Sequence, residues 1–206
     1  MQENKFTINK QYDLHKEDDV RAILEQGNAE EIERLRRHSS LSREQIERLR
    51  YYALLRQGVH QQMQQKLELR IKNNPQASQQ EIEMGCYLEN IEPHVRTTVM
   101  KMRNKGYNTY ESGFFGVTGQ KISTENRDFD NPQLFVDLVS ELANQGIKLE
   151  IKKNVIFFEC DGQLPLSEIE KTWLQIESYL PDLKKVPVCH LRKQQNYLEI
   201  NNSIDK

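Results

Sequence analysis

The sequence predicts an α+β fold: an N-terminal helical arm followed by a ferredoxin-like β-α-β-β-α-β sheet domain. Three observations predict it. Up to about residue 106 the chain repeats one helix signature, a capping residue three positions before a Glu or Gln and then apolar residues at helical spacing. After Gly106 the texture changes to glycine-rich turns and short apolar runs that alternate or are apolar throughout. From Tyr107 on, strand and helix signals follow in the order β-α-β-β-α-β, which is the split βαβ pattern.

Residues 1–16 read as a polar tail. A short helix is expected over 17–25, with acids at its start, Val20, Ile23 and Leu24 on one face, and Gly27 as its stop. Asn28 with Glu31 caps a second helix carrying Ile32 and Leu35. Ser42 with Gln45 forms a capping box, and Leu41 with Ile46 occupies the staple positions. A long helix should run from there to about Lys72 and close at Asn73-Asn74-Pro75, because the residue before proline avoids the α region. Its stripe reads Ile46, Leu49, Ala53, Leu55, Val59, Met63, Leu67 and Ile71, with Gly58 as a weak point. Ser78 with Glu81 opens a helix to about Asn90, and Pro93 takes the first position of the next, which Gly106 ends.

A strand is expected over 107–115, entering a glycine-rich turn over 113–119. Asn131-Pro132 starts a helix carrying Phe135, Leu138, Val139 and Leu142. Ile147, Leu149 and Ile151 alternate as a half-buried strand, and residues 155–158, apolar on both faces, predict a central one. Ser167 with Glu170 opens a last helix with Trp173 on its apolar face, and a final strand is expected over 186–191, at an edge because it holds Pro187. The organisation is a tail (1–16), a helical arm (17–76), an α+β domain (77–191) and a second polar tail (192–206).

Composition bounds the function. The 29 basic and 31 acidic side chains leave a net charge of −2, so no global basic signature for nucleic acid exists. No run approaches the ~18 apolar residues of a membrane span, and residues 1–16 lack the apolar core of a signal peptide. The three cysteines are scattered, which fits a reducing, cytoplasmic setting rather than a disulfide framework.

The residues Met84-Gly85-Cys86-Tyr87, Ile91-Glu92-Pro93, Arg96, Gly106-Tyr107-Asn108-Thr109 and Ser112-Gly113-Phe114-Phe115-Gly116 together resemble a family of uncharacterised bacterial α/β proteins. The same core is loosely similar to α/β modules such as the third-step wybutosine-synthesis methyltransferases, where a strand ends in a Ser-Cys-Gly turn. Here glycine follows serine directly, and no catalytic residue carries over. The resemblance covers about a third of the chain and implies an α/β core, with nucleic-acid modification as the activity by analogy.

The turn that ends the first strand holds the candidate ligand site. Thr109, Glu111 and Ser112 supply two hydroxyls and a carboxylate, and Phe114 could stack on a planar ring. Arg96, on the helix that ends at Gly106, is expected within reach, with His94 near it. The competing reading is a glycine-rich hairpin with core phenylalanines. No Walker A, GxGxxG, HExxH or CxxC is present, so neither a cofactor nor a metal is expected, and catalytic residues are not assigned.

Charge is asymmetric. From Arg34 to Lys72 there are ten basic and three acidic side chains, and residues 16–33 hold seven acids against two bases. Either the basic helix serves a partner, or the acidic segment folds against it. The preferred function is a binding module using this arm, through a protein partner or a homodimer contact at Leu55, Val59 and Met63, with nucleic acid less favoured. The alternative is an enzyme acting on a small molecule or nucleic acid at the 109–116 turn.

Overall fold

The computed structural model describes residues 12–125, 129, 135–159 and 164–184. These fall into two compact units. One holds the described residues of Met1–Asn90, Phe114–Gln120 and Glu159–Leu164; the other holds those of Ile91–Gly113, Lys121–Phe158 and Pro165–Lys206.

The helical unit contains α1 (Glu17–Gln26), α2 (Ala29–Ser39), α3 (Arg43–Asn73), α4 (Gln79–Met84) and a 3-10 turn at Leu88–Asn90. All three capping boxes expected in this unit form. Asn28 Oδ1 accepts from the Glu31 amide at 3.0 Å, Ser42 Oγ from that of Gln45 at 3.1 Å, and Ser78 Oγ from that of Glu81 at 3.3 Å. Each box satisfies backbone donors that a helix start leaves unpaired. Gly27 stops α1 without the expected left-handed turn. It is extended (φ −64°), and its amide donates to the Ile23 carbonyl at 2.7 Å.

α1 and α2 lie against the first half of α3. Ile23, Leu24, Leu35, Ile46 and Ala53 form the buried core there, flanked by Val20, Ile32, Leu49 and Val117. The acidic segment therefore does fold against the long helix, through apolar packing. The 3-10 turn also packs against α3. α4 is shorter than the sequence predicts, ending at Met84 with Gly85 in the left-handed region.

The second unit contains α5 (Pro93–Asn104), most of the sheet, α6 (Val136–Asn144) and α7 (Leu166–Tyr179). The strands are β1 (Thr109–Phe115), β2 (Gly119–Thr124), β3 (Lys148–Lys152) and β4 (Val155–Glu159), in the order β1-β2-β4-β3. The class is α+β, with β4 interior as expected. The ferredoxin-like order is not the order of the described strands. The glycine-rich turn is the bend of a β1–β2 hairpin, and β2 is a strand the sequence reading missed. The elements run β-β-α-β-β-α, two hairpins each followed by a helix. They join where the Thr124 amide donates to the Asn154 carbonyl at 2.9 Å, the end of β2 beside the start of β4, so the sheet is antiparallel. The expected strand at 186–191 and the Asn131-Pro132 helix start lie outside the described residues.

α7 packs against α5, and Glu141 of α6 accepts from Gln175 and Tyr179 of α7, each at 2.8 Å. Helix α7 starts at Leu166 after Pro165 rather than through a Ser167–Glu170 box, and the Pro165 carbonyl takes the first amides. Its C-terminal end is held by Lys105, whose ammonium donates to the carbonyls of Glu177 (2.7 Å) and Leu180 (2.9 Å) and pairs with the buried Glu177 carboxylate at 2.6 Å. A cation here also suits the negative end of the helix. Trp173, Leu138, Leu142, Ile156 and Phe158 are fully buried. The indole meets Phe158, with centroids 4.8 Å apart. Phe157 is half-buried on the other face, since successive strand residues point to opposite sides.

Truncating Trp173 to alanine should cost about 3–5 kcal/mol in denaturant unfolding. The folded wild-type indole should resist acrylamide quenching. Efficient quenching would mean the residue is not in this core.

Candidate functional site

The residues expected to form a ligand site do not converge. Thr109 is buried, and its Oγ1 accepts from Arg103 Nε at 3.0 Å, while Arg103 also donates to the Thr109 carbonyl. Glu111 points to the neighbouring strand, paired with Lys121 at 2.7 Å and accepting from Ser123 Oγ at 3.4 Å. Ser112 is half-buried and, by strand alternation, faces the other way from Glu111. Arg96 Nη2 donates to the Ile91 carbonyl at 2.9 Å, while its buried Nε has no hydrogen-bond partner among the described residues. Phe114 is counted with the helical unit. Its ring meets Tyr52 and His60 edge-on at 5.2 and 5.9 Å, and the Arg56 guanidinium lies 5.9 Å from its centre. The phenylalanine is packing, not a platform for a ligand.

His94 is buried inside its own unit, with Nε2 3.3 Å from Glu92 Oε2. The Glu92 carboxylate lies against the Gly113 backbone. A Cβ built at Gly113 would come within 2.2 Å of it, and φ of +109° there already favours glycine. This is why a glycine stands in the middle of β1, a reason invisible in the sequence.

The bend of the hairpin is clamped to α3. Tyr52 Oη donates to the Gly119 carbonyl at 2.7 Å and accepts from Gln120 Nε2 at 2.9 Å, while Arg56 Nη1 donates to the Gly116 carbonyl at 3.0 Å. Further along α3, Arg70 lies 3.2 Å from the buried Glu81 carboxylate. That carboxylate also accepts from the Ser78 amide (2.7 Å), the Ser78 hydroxyl (2.9 Å) and the Leu88 amide (3.1 Å). These bonds, the Ser78 amide foremost, hold the Glu81 pKa down from 4.5 to about 2.

Much of the basic charge is paired locally. Arg36 and Arg37 share Glu33, Arg43 pairs with Glu47, and Arg48 with Glu44. The Arg36 and Arg37 hydrogen bonds lower the Glu33 carboxyl to about 2. Arg50, Lys66 and Lys72 have no ion pair among the described residues.

Of the stripe expected to bind a partner, Val59 is buried and Leu55 and Met63 are half-buried. Val59 and Met63 lie on the inner face of α3, and Leu55 falls by angle at the edge of the outer one. At ~100° per residue, Ile46, Leu49, Tyr52, Ala53, Val59, Met63 and Leu67 share one arc. The opposite arc carries Tyr51, Leu54, Gly58, Gln62, Gln65 and Leu69, the three apolar residues being 46%, 44% and 57% exposed. A Cβ at Gly58 would have nothing within 4 Å. The sequence reading missed this outer face because it followed one run of i+4 steps from Leu55. Plotting every apolar residue of α3 by angle would have separated two faces. The described residues hold no group of three or more His, Cys, Asp or Glu side chains able to bind a metal, and no helix long and apolar enough to cross a membrane.

No family model, curated protein or solved structure matches the chain.

Gly58→Ala should raise stability by about 0.5–1 kcal/mol, because it improves helix propensity where the methyl meets no clash; an unchanged or lowered denaturant midpoint would contradict this. Acid should act through Glu81 and Glu33. Their folded pKa values lie below the ordinary one, so their stabilisation is full above pH 4.5 and is lost as the pH falls toward 2. Glu81→Gln should be less stable at neutral pH and lose less than wild type over that window, measured by urea unfolding at stepped pH.

Proposed function

We propose that this protein is a binding module that engages another macromolecule through the outer face of α3. One observation carries the reading. Tyr51, Leu54 and Leu69 are exposed along one side of a helix whose opposite side is committed to its own unit as far as Met63. Isolated apolar side chains on a surface need no explanation, but three aligned on one helix face mark a docking ridge. The lack of convergence among Arg96, Thr109, Glu111 and Ser112, each bound to structural neighbours or facing apart, weighs against the enzymatic alternative.

The test is a photo-crosslinking amino acid placed at Gln62 on the outer face and, as control, at Ser178 on the exposed side of α7, in the cell that makes the protein. Position 62 should yield one discrete adduct that Leu54→Glu and Leu69→Glu abolish without changing the circular dichroism spectrum. Absence of an adduct at 62, or equal adducts at both positions, would refute the reading.

A further inference from the structure

We infer that the occupant of this face is a second copy of the chain, packed antiparallel through its own α3. The inference rests on the reading of the outer α3 face as a binding surface and names its partner.

The face is complementary to itself in one register. In an antiparallel pair of helices related by a two-fold axis, residues on one flank meet residues on the same flank of the second copy, at heights reflected through the axis. At ~100° per residue, Arg50 and Glu68 share one flank of the face. Glu47, Leu54, Gln65 and Lys72 lie between that flank and the centre, and Tyr51 and Leu69 lie just past the centre at one common angle. A two-fold axis at residues 59–60 therefore sets Arg50 against Glu68 of the second copy, Glu47 against Lys72, Tyr51 against Leu69 and Leu54 against Gln65. The midpoints of these four pairs agree to within one residue. Each contact recurs by symmetry, so each end of the interface carries two ion pairs beside one Tyr51–Leu69 contact, as charged flanks border the seam in paired helices.

The groups are available for it. Glu68 and Lys72 are exposed, and Arg50 is half-buried. Arg50 and Lys72 have no ion pair among the described residues. Glu47 pairs with Arg43 at 3.1 Å, and Glu68 accepts from Gln64 at 3.2 Å. Both are contacts between exposed side chains one helical turn apart, which contribute little and leave the carboxylates open to a stronger neighbour. Gly58 sits beside the axis, where two crossing helices come closest. A Cβ there would have nothing within 4 Å, so the single chain does not require a glycine, whereas the close approach of a second backbone is eased by one. On the opposite flank Lys66 stands next to Leu55 of the second copy, over which its aliphatic stem lies.

Other occupants fit less well. A parallel pair sets Glu47 against Glu47 and Lys72 against Lys72, and places Arg50 beside Arg48 of the second copy. These like charges disfavour it, and its one compensation is Lys66 beside Glu68. A strand finds no free backbone groups along a helix interior. A nucleic acid would leave Leu54 and Leu69 without an apolar contact and would meet the carboxylates of Glu47 and Glu68.

The test follows the mass of the full chain by sedimentation equilibrium from about 1 μM to 1 mM. Wild type should approach twice the chain mass and dissociate more readily as salt is raised. Arg50→Glu and Glu68→Arg should each raise the dimer dissociation constant about tenfold, with an unchanged circular dichroism spectrum. Mixing these two variants should restore wild-type association, because each chain then offers the charge that the other lacks. The double variant Arg50→Glu/Glu68→Arg should restore it within one sequence. Positions 50 and 68 stand about 27 Å apart along one helix, so neither rescue can arise inside a monomer. Failure of both rescues overturns the inference, and so does a dimer that none of these variants weakens, which must form elsewhere. Tighter association of Arg50→Glu would indicate the parallel pair and overturn the register. A chain that stays monomeric throughout overturns the second copy. The crosslinker at position 62 separates that failure from the failure of the underlying reading. An adduct at twice the chain mass agrees with the inference, an adduct of another mass from a monomeric chain rejects the second copy and keeps the face, and no adduct rejects both.

Discussion

A helix of 31 residues imposes the organisation of its unit. At ~1.5 Å per residue α3 is about 46 Å long, too long for one neighbour to cover. Its inner arc is therefore covered in sections. α1 and α2 take the first section by apolar packing around Ile23, Leu24 and Ile46. The hairpin bend takes the middle through Tyr52, Arg56 and Phe114. The segment leading to Leu88 takes the last, held by Arg70 and Glu81. The three sections differ in chemistry: aliphatic, then aromatic with backbone hydrogen bonds, then a buried carboxylate saturated by donors. Each matches what α3 presents at that height. What remains is the outer arc, where Tyr51, Leu54 and Leu69 are exposed.

The second unit is organised around a different constraint, the burial of the part of β2 it holds. Ile122, Ser123 and Thr124 are nearly inaccessible to solvent, yet only Ile122 is strongly apolar. Buried polar groups must be hydrogen-bonded, and these find partners in neighbouring elements. Ser123 meets Glu111, and Thr124 shares bonds with the Asn154 backbone. β2 is thus stabilised by its neighbours' polar atoms as much as by its own apolar content. Gly113 and Glu92 show the same principle, a glycine present because a carboxylate occupies the space of its side chain.

The candidate ligand site dissolved for a related reason. Thr109, Glu111, Ser112 and Arg96 are the residue types that bind ligands, but the same types serve equally to satisfy a folded backbone. Proximity in sequence said nothing of which use each was put to. Arg103, absent from the expected site, takes Thr109, and Lys121 takes Glu111. The charge asymmetry of the arm shows the same ambiguity. Four of the eight arginines between Arg34 and Lys72 meet carboxylates three or four residues away, so the net charge of the segment overstated what it offers a partner.

The sequence by itself determined the elements whose signals are local. Asn28, Ser42 and Ser78 with their partners three residues on marked the starts of α2, α3 and α4, and Pro93 that of α5, because capping is chemistry within one turn of chain. It also determined the α+β class, the burial of Trp173 and the interior place of β4, since continuous apolarity requires cover on both faces. The tertiary structure alone decided the rest. A strand such as β2 is polar enough to pass for coil until its partners are known. The choice between Phe157 and Phe158 as the partner of Trp173 turns on a one-residue register that apolarity on both faces leaves open. The inner and outer sides of α3 both carry leucines and tyrosines, and only the placement of α1, the hairpin bend and the Leu88 segment determined which side is buried and which is left exposed.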